Sequence, residues 1–291
     1  MNPATTKIEQ ASSTCRHSGE VISKLTSTRA TPSRIDLRIS DGQIALGSDL
    51  HASPNEPAST AWRAFVHLTK LLQPQAVVLN GDVCDFPSIS KHPRADWSDR
   101  RPTVKEEIAC AQARLREIQH AAPQQAQLYW TRGNHCRRLE GVLAARAPEL
   151  EGLLGTRLAD HFDERWQHCV SLRVNENVRI KHQLSGGSTA AASNARKAGC
   201  SIICGHTHSL KVFPVSNYTG TFFGVDSGML ANPQSSLFSY CEDAPCDWRS
   251  GFVLLTFCAG VLQWPEVVPV VTESPEPGAG TVWFRGELVK V

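Results

Sequence analysis

The sequence predicts an α/β fold, a sheet with helices covering its faces, from three observations. Short apolar runs of strand length alternate with segments of helical period between residues 34 and 208. Alternation of this kind implies right-handed crossovers that lay helices on sheet faces. The 291 residues, 41% hydrophobic and 20% charged, suffice to bury a core without disulfide or metal staples.

Residues 1–33 are rich in Ser, Thr and Ala without a sustained period and predict a poorly ordered or variable arm. The globular part is expected over 34–291. It opens with IDLRISDGQIALGSDLH, two apolar runs split by Asp41-Gly42, a turn dipeptide. This predicts a hairpin or two strands, the second ending at Asp49. A helix follows at 59–72, with Trp62, Phe65, Val66 and Leu72 at helical spacing. AVVLNGD (76–82) reads as a buried strand, and 86–102 as a polar, Pro-bearing excursion. Thr103 and Glu106 have the form of a capping box. The helix it opens shows Val104, Ile108, Ala111, Leu115 and Ile118 on one face. QLYWTRGNH (127–135) is the next strand, and a helical stretch covers about 136–160. VRIKHQ (178–183) and SIICGHTH (201–208) are strands with an Ala-rich helix, 188–198, between them. Beyond His208 the chain turns β-rich.

Thirty basic residues against 28 acidic ones leave a net charge of +2 and no global electrostatic pull toward nucleic acid or membrane. No apolar run approaches the length of a transmembrane helix. The N-terminus lacks a basic-then-apolar layout, so no signal peptide and a cytoplasmic location are expected. In that compartment the ten cysteines read as buried free thiols. The spacings of Cys200 with Cys204 and of Cys241 with Cys246 do not match the CxxC pairs of a structural zinc site.

Five strand ends carry residues that bind hard or borderline metals: Asp49 and His51, Asp82 and Asp85, Asn134 and His135, His182, then His206 and His208. Ligands collect at the carboxyl ends of strands in open α/β sheets, so these ends can converge on one site. Asp49 and His51 are two apart, as are His206 and His208, which in extended backbone points each pair to one side. Gly81, Gly133 and Gly205 permit close backbone approach or a positive φ. Mixed nitrogen and oxygen ligation suits Mn, Fe, Zn, Co or Ni better than Ca or a thiolate-bound metal.

In this order, SDLH, GDVCD, GNHC, KHQ and GHTH resemble the D-x-H, G-D-x-x-D, G-N-H-[D/E], lone His and G-H-x-H pattern of the calcineurin-like metallophosphoesterase superfamily. DFPSISKHP and GTFFGVDSGML further resemble its phage and prophage members, which would put the chain in a host cytoplasm. The resemblance implies a four-layer α/β/β/α sandwich of two mixed β-sheets flanked by helices, with motif core 44–210 and strands 211–291 completing the second sheet. It implies two divalent metal ions, Mn or else Fe, Zn, Ni or Co. One would be held by Asp49, His51, Asp82 and His208, the other by Asp82, Asn134, His182 and His206, with Asp82 bridging. It implies hydrolysis of a phosphate ester by in-line attack of a hydroxide between the ions. His135 would assist the leaving group and Asp85 would orient His135.

The sequence departs from the pattern at Cys136, where Asp or Glu is usual, at Phe86, where protein Ser/Thr phosphatases carry Arg, and at Gln183, where Gly is usual. His168 is the competing lone histidine, but it precedes an apolar run rather than ending one. For the substrate, Arg132 and Asn134 are the candidates for touching phosphate. Arg137, Arg138, Lys91, Arg94, Arg100 and Arg101, with Trp97 among them, would make a basic lip for a phosphoester or nucleic acid strand. Asp96 and Asp99 dilute that charge, and a solvated loop is the plainer reading. Tyr218 and Trp248 read as packing residues. A nuclease or phosphodiesterase, a phosphomonoesterase, and a metal-binding interaction module without turnover all fit the pattern. The intact ligands and His135 weigh against the module.

Overall fold

The computed structural model describes residues 31–94 and 99–291; the predicted arm up to residue 30, and Asp96 and Trp97 of the excursion, lie outside them. Among the described residues the chain runs β1 (Arg34–Leu37), β2 (Gly42–Gly47), α1 (Thr60–Leu72), β3 (Ala76–Leu79), α2 (Val104–Ala121) and β4 (Gln127–Thr131). It continues through α3 (Arg138–Arg146), β5 (Trp166–Cys169), β6 (Ser171–Val174), β7 (Val178–Lys181), α4 (Ala190–Ala198) and β8 (Ser201–Cys204). The rest is β9 (Leu210–Asn217), β10 (Gly220–Ser227), β11 (Gly251–Cys258), β12 (Val261–Leu262), β13 (Glu266–Thr272), β14 (Thr281–Phe284) and β15 (Glu287–Lys290).

These strands form two mixed sheets. One has six strands in the order β1-β6-β7-β8-β10-β9. The other has nine, in the order β15-β14-β13-β11-β2-β3-β4-β5, with β12 on β11. Strands β2 to β5 run parallel, as do β7 and β8. Period-two alternation builds the layers. Ile44, Leu46 and Val78 face the small sheet's Ile180, Ile203 and Val225, and this is the core between the sheets. Ala45, Val77 and Leu79 face the other way, onto Trp62, Phe65, Ile108 and Leu115 of α1 and α2. On the far side of the small sheet, Ile202 and Cys204 pack against Ala195 of α4. The result is the four-layer α/β/β/α sandwich.

Helix α1 is capped by Ser59, whose side chain accepts from the Trp62 N–H. Its Trp62 indole donates to Glu117 of α2 at 2.7 Å, tying the two helices together. Helix α2 carries the capping box of Thr103 and Glu106.

Three expectations change. Asp41-Gly42 does not turn a hairpin: β1 pairs with β6 and β2 with β3 and β11, so the chain crosses between sheets there. Local pattern marks two strands but cannot name their partners. The helical stretch shortens to α3 followed by single 3₁₀ turns at Pro148–Leu150 and Leu158–His161, because Pro148 lacks the donor that a continuing helix needs. Strands β5 and β6 fall in a stretch without an expected element; β5 is a half-buried edge strand and β6 lies between β1 and β7, and the polar alternation of both, as in WQHC, hides them. No helix among the described residues is long and apolar enough to cross a membrane.

Candidate metal centre

The parallel strands β2, β3 and β4 end side by side on one edge of the large sheet, and β7 and β8 end on the facing edge of the small one. Each is followed by the turn that carries its polar residues. The turn after β2 runs along the turn after β3: Asp49 N–H donates to Gly81 O (3.1 Å), His51 N–H to Asp82 O (3.0 Å) and Ala52 N–H to Val83 O (2.7 Å).

The backbone here is strained. Asp49 (φ 53°), His51 (45°), Asp82 (48°), His206 (68°) and His208 (57°) all occupy the left-handed region. Such conformations cost of order 1–3 kcal/mol each for a residue with a side chain and persist where the surroundings enforce them. The expectation that each D-x-H or H-x-H pair lies in extended backbone is therefore corrected. The strands end at Gly47 and Cys204, and the side chains converge because the turns bend them inward. Glycine is required for close approach: a Cβ on Gly133 would overlap the Asp82 carboxylate, and one on Gly81 the His182 ring.

Three sets of ligand atoms each lie within 4.8 Å: two triads, Asp49 with His51 and His208 and Asp82 with His182 and His206, and beside them His51 with Asp85 and His135. Asp49 Oδ2 accepts from the His206 N–H at 3.0 Å, which links the triads. Its Oδ1 stands 3.3 Å from His208 Nε2 and 3.9 Å from His51 Nε2. Asp82 Oδ1 accepts from the His135 N–H at 2.8 Å, while Oδ2 lies 3.0 Å from His182 Nε2. Asn134 Oδ1 is 3.2 Å from the same His182 nitrogen. His182 Nδ1 donates to the Asn80 carbonyl at 2.7 Å, which turns Nε2 toward the cluster. The competing His168 sits on β5, its ring 4.7 Å from that of Trp130 and apart from both triads.

Asp49, His51, Asp82 and His182 are all at most 3% exposed. Burial alone would raise a carboxyl pKa, yet Asp49 is held low by His182, His208 and His51, and Asp82 by His182 and His135. Burial would likewise depress His182, but Asp49 and Asp82 outweigh it and lift the imidazole to about 9. Asp49 Oδ1, His51 Nε2 and His208 Nδ1 are buried without a hydrogen-bond partner. Unpaired buried oxygen and nitrogen lone pairs of this kind fit a hard or borderline divalent cation.

Beside the triads, Asp85 Oδ1 is shared between His135 Nδ1 and His51 Nδ1, the latter at 3.2 Å. Burial works against its charge, but these two imidazoles keep it ionised to well below the usual range. Both Nε2 atoms are thereby turned inward, and His135 Nε2 lies 4.0 Å from Asp82 Oδ2.

Two residues have roles that motif reading missed. Arg138 donates to the Asp85 carbonyl at 2.7 Å, and its Nη2 is 3.5 Å from His135 Nε2. Glu107, fully buried, accepts from the Phe86 N–H (2.8 Å) and the Asp85 N–H (3.3 Å), and burial pushes its pKa up to about 8. The signal for Glu107 was its spacing: it lies on the apolar stripe of α2 between Val104 and Ala111.

Other candidates lie elsewhere. Arg132 pairs with Glu140 beside a cavity of about 360 Å³ lined by α3 and residues 147–157. Arg101 is absorbed by Asp99 and by the carbonyls of Pro87, His92 and Pro93, so it braces the excursion. Trp97, the stacking candidate of the lip, lies outside the described residues. Tyr218 is fully exposed rather than packed, whereas Trp248 packs edge-on to His208 at 4.7 Å. The nine described cysteines are free, with Cys84, Cys136, Cys169 and Cys204 buried.

No family model matches the chain. The Gene 54 protein of Mycobacterium phage D29 is 29% identical over 223 residues, 68% of this chain and 83% of the phage protein. Vps29 of Chaetomium thermophilum is similar at a TM-score of 0.41 and 12% identity, covering 86% of this chain and 96% of that one. The phosphoesterase YfcE of E. coli is similar at a TM-score of 0.35 and 15% identity, covering 77% and 98%.

Proposed function

We propose, for a chain with the motif order and sheet layering of the calcineurin-like metallophosphoesterases, that it is a dinuclear-metal-dependent phosphoester hydrolase. The observation that carries this reading is the pair of Asp/His triads joined through Asp49 and His206, with partnerless buried ligand atoms in the first of them. In this reading Asp49, His51, Asp82 and His208 hold one ion, and Asp82, Asn134, His182 and His206 the other. Manganese is favoured, with Fe, Zn, Ni or Co as alternatives. Two bound divalent ions supply Lewis acidity toward the phosphoryl oxygens and a more acidic water.

The protein's own part is positioning and proton handling. His135, its Nδ1 on Asp85, presents Nε2 toward the cluster, where it donates a proton to the leaving oxygen. Asp85 stays ionised and stabilises the imidazolium that carries the proton. Asn134 is near enough to the second triad to touch both ion and phosphate. Arg132 is paired with Glu140 away from the triads, whereas Arg138, itself 3.5 Å from Asp85 Oδ1, keeps its Nη2 beside His135 Nε2, so Arg138 takes the cationic role toward phosphate. The phage relative favours a host cytoplasm as the working compartment.

The test is a turnover screen of Mn²⁺-loaded protein against a generic monoester, a generic diester, single-stranded DNA and duplex DNA. Hydrolysis of at least one, abolished by chelation, is expected. Metal binding without turnover of any ester would make the chain a metal-binding interaction module and overturn the proposal.

A further inference from the structure

Asn80 follows the last residue of β3, precedes the Gly81-Asp82 turn and is fully buried. Its groups reach the end of every other strand that leads into a candidate ligand. The N–H donates to the carbonyl of Gly47, the last residue of β2, at 2.7 Å. The main-chain carbonyl accepts from His182 Nδ1 at 2.7 Å. Oδ1 accepts from the hydroxyl of Thr131, the last residue of β4, at 2.6 Å. Nδ2 stands 3.5 Å from the carbonyl of Lys181, at the end of β7, and 3.5 Å from that of Ile203, near the end of β8. Strands β2, β3 and β4 belong to the large sheet and β7 and β8 to the small one, so this one side chain spans the seam between the sheets.

The partners fix which way the amide points. Carbonyls only accept, so the nitrogen must face Lys181 and Ile203. The oxygen then faces Thr131, also fully buried, whose hydroxyl must donate. Core packing alone does not call for an amide here. Burying one is unfavourable unless its groups are paired, and an apolar side chain would fill the space without that demand. A carboxylate would meet the two carbonyl oxygens with no proton to offer. What the amide supplies is a directional, uncharged link across the seam. Asp82 leaves β3 two residues after Asn80, and His182 leaves β7 one residue after Lys181. The 3.0 Å between Asp82 Oδ2 and His182 Nε2 is thus set by the same bridge. The turn has no slack there, since a Cβ on Gly81 would strike the His182 ring.

We propose that Asn80, oriented by Thr131, is a positioning residue that sets the separation of the two sheet edges, and with it the spacing of Asp82 and His182 around the second ion. It touches no reacting atom. This deepens the dinuclear reading and rests on it. The turns after β2 and β8 have a separate link: Ser48 Oγ lies 2.8 Å from Ser227 Oγ, which donates to the Cys204 carbonyl at 2.8 Å. Asp49, His51 and His208 therefore keep their places around the first ion when the Asn80 bridge is cut.

The test titrates the full chain with Mn²⁺ and follows the free ion by electron paramagnetic resonance. Wild-type protein is expected to bind two ions. Asn80→Ala and Thr131→Val should weaken one of them about 10- to 100-fold, the range for an outer partner of a metal ligand, and leave the other unchanged. Thr131→Ser keeps the hydroxyl and should keep both affinities. Should Asn80→Ala fail to fold, the Thr131 pair carries the test, because valine matches threonine in shape. Turnover at saturating Mn²⁺ should hold, while the Mn²⁺ concentration for half of it rises by the same factor as the weakened affinity. A purely structural role would weaken both ions alike, or lower the urea midpoint with both affinities intact, and either result overturns the proposal. So does an equal loss in Thr131→Ser and Thr131→Val. Wild-type protein that binds fewer than two ions overturns the dinuclear reading itself, whereas two ions with unaltered affinities in the variants overturn the role of Asn80 alone.

Discussion

In the turns after β2, β3 and β8, backbone and side chains are both in unfavourable states. Five residues with side chains adopt positive φ, and buried carboxylates and imidazoles keep lone pairs without partners. The segment from Asn232 to Ser250, which lies over them, shows little of this. It is held by ordinary bonds, such as Ser236 Oγ to Glu56 (2.6 Å), Ser250 Oγ to the Ala231 carbonyl (2.7 Å) and Arg249 N–H to the His208 carbonyl (2.8 Å). Its aromatic rings meet the ligands edge-on. The contrast separates two tasks. Strain and buried charge are retained where a bound cation would offset them, while the cover only has to present a shape. Substitutions in the turns should therefore abolish chemistry, and substitutions in the cover should change what is accepted.

The largest expected effect is that of Asp82→Asn. It removes the carboxylate facing His182 and weakens the acceptor for the His135 N–H, so bound metal, read by elemental analysis, and turnover should both fall to background. Retained metal and activity would dissolve the contrast at its stronger end. Next is His135→Ala, expected to cut turnover by about 10²–10⁴ while metal content stays at the wild-type level. Loss of metal in that variant would make His135 a ligand. On the cover, Phe238→Leu keeps most of the buried volume and should cost less than about 1.5 kcal/mol of stability by denaturant unfolding. Its metal content should be unchanged; a loss comparable to that of Asp82→Asn would show that the cover belongs to the centre.

The same contrast governs what could be read in advance. The turns that bring the candidate ligands together were legible because metal chemistry dictates residue type, and five short fragments in order leave few alternatives. The α-helices were legible where amphipathic period and capping agreed, as in α2 with Thr103 and Glu106. Partner choice was not: nothing local tells β1 to join β6 while β2 joins β3. The local reason for convergence was also wrong, since a strand-like spacing of two residues is realised by left-handed turns. Arg132 and Arg138 look alike in sequence, and only the fold shows that the first pairs with Glu140 while the second pairs with Asp85 beside His135. Phe238 carries no motif at all, because an apolar cover can be built from many sequences.

The effect that touches stability without touching the metal concerns the floor behind Asp85, where two neighbouring carboxyls are driven in opposite directions. Asp85 is held ionised by His135 and His51, while burial keeps Glu107 protonated up to about pH 8. An unfolded glutamate releases its proton near pH 4.5. Between those values the folded protein holds a proton that the unfolded chain has lost, so this residue lowers stability progressively as pH rises and adds nothing further above about 8. Over that window each pH step of one costs about 1.36 kcal/mol. Glu107→Gln keeps an acceptor for the Phe86 and Asp85 N–H groups but has no proton to release. Urea midpoints at about pH 5, 7 and 9 should therefore diverge, with the variant gaining on the wild type by a few kcal/mol as pH rises. Parallel midpoints would mean that Glu107 is already ionised at neutral pH, and the floor would then share the charged character of the ligand turns.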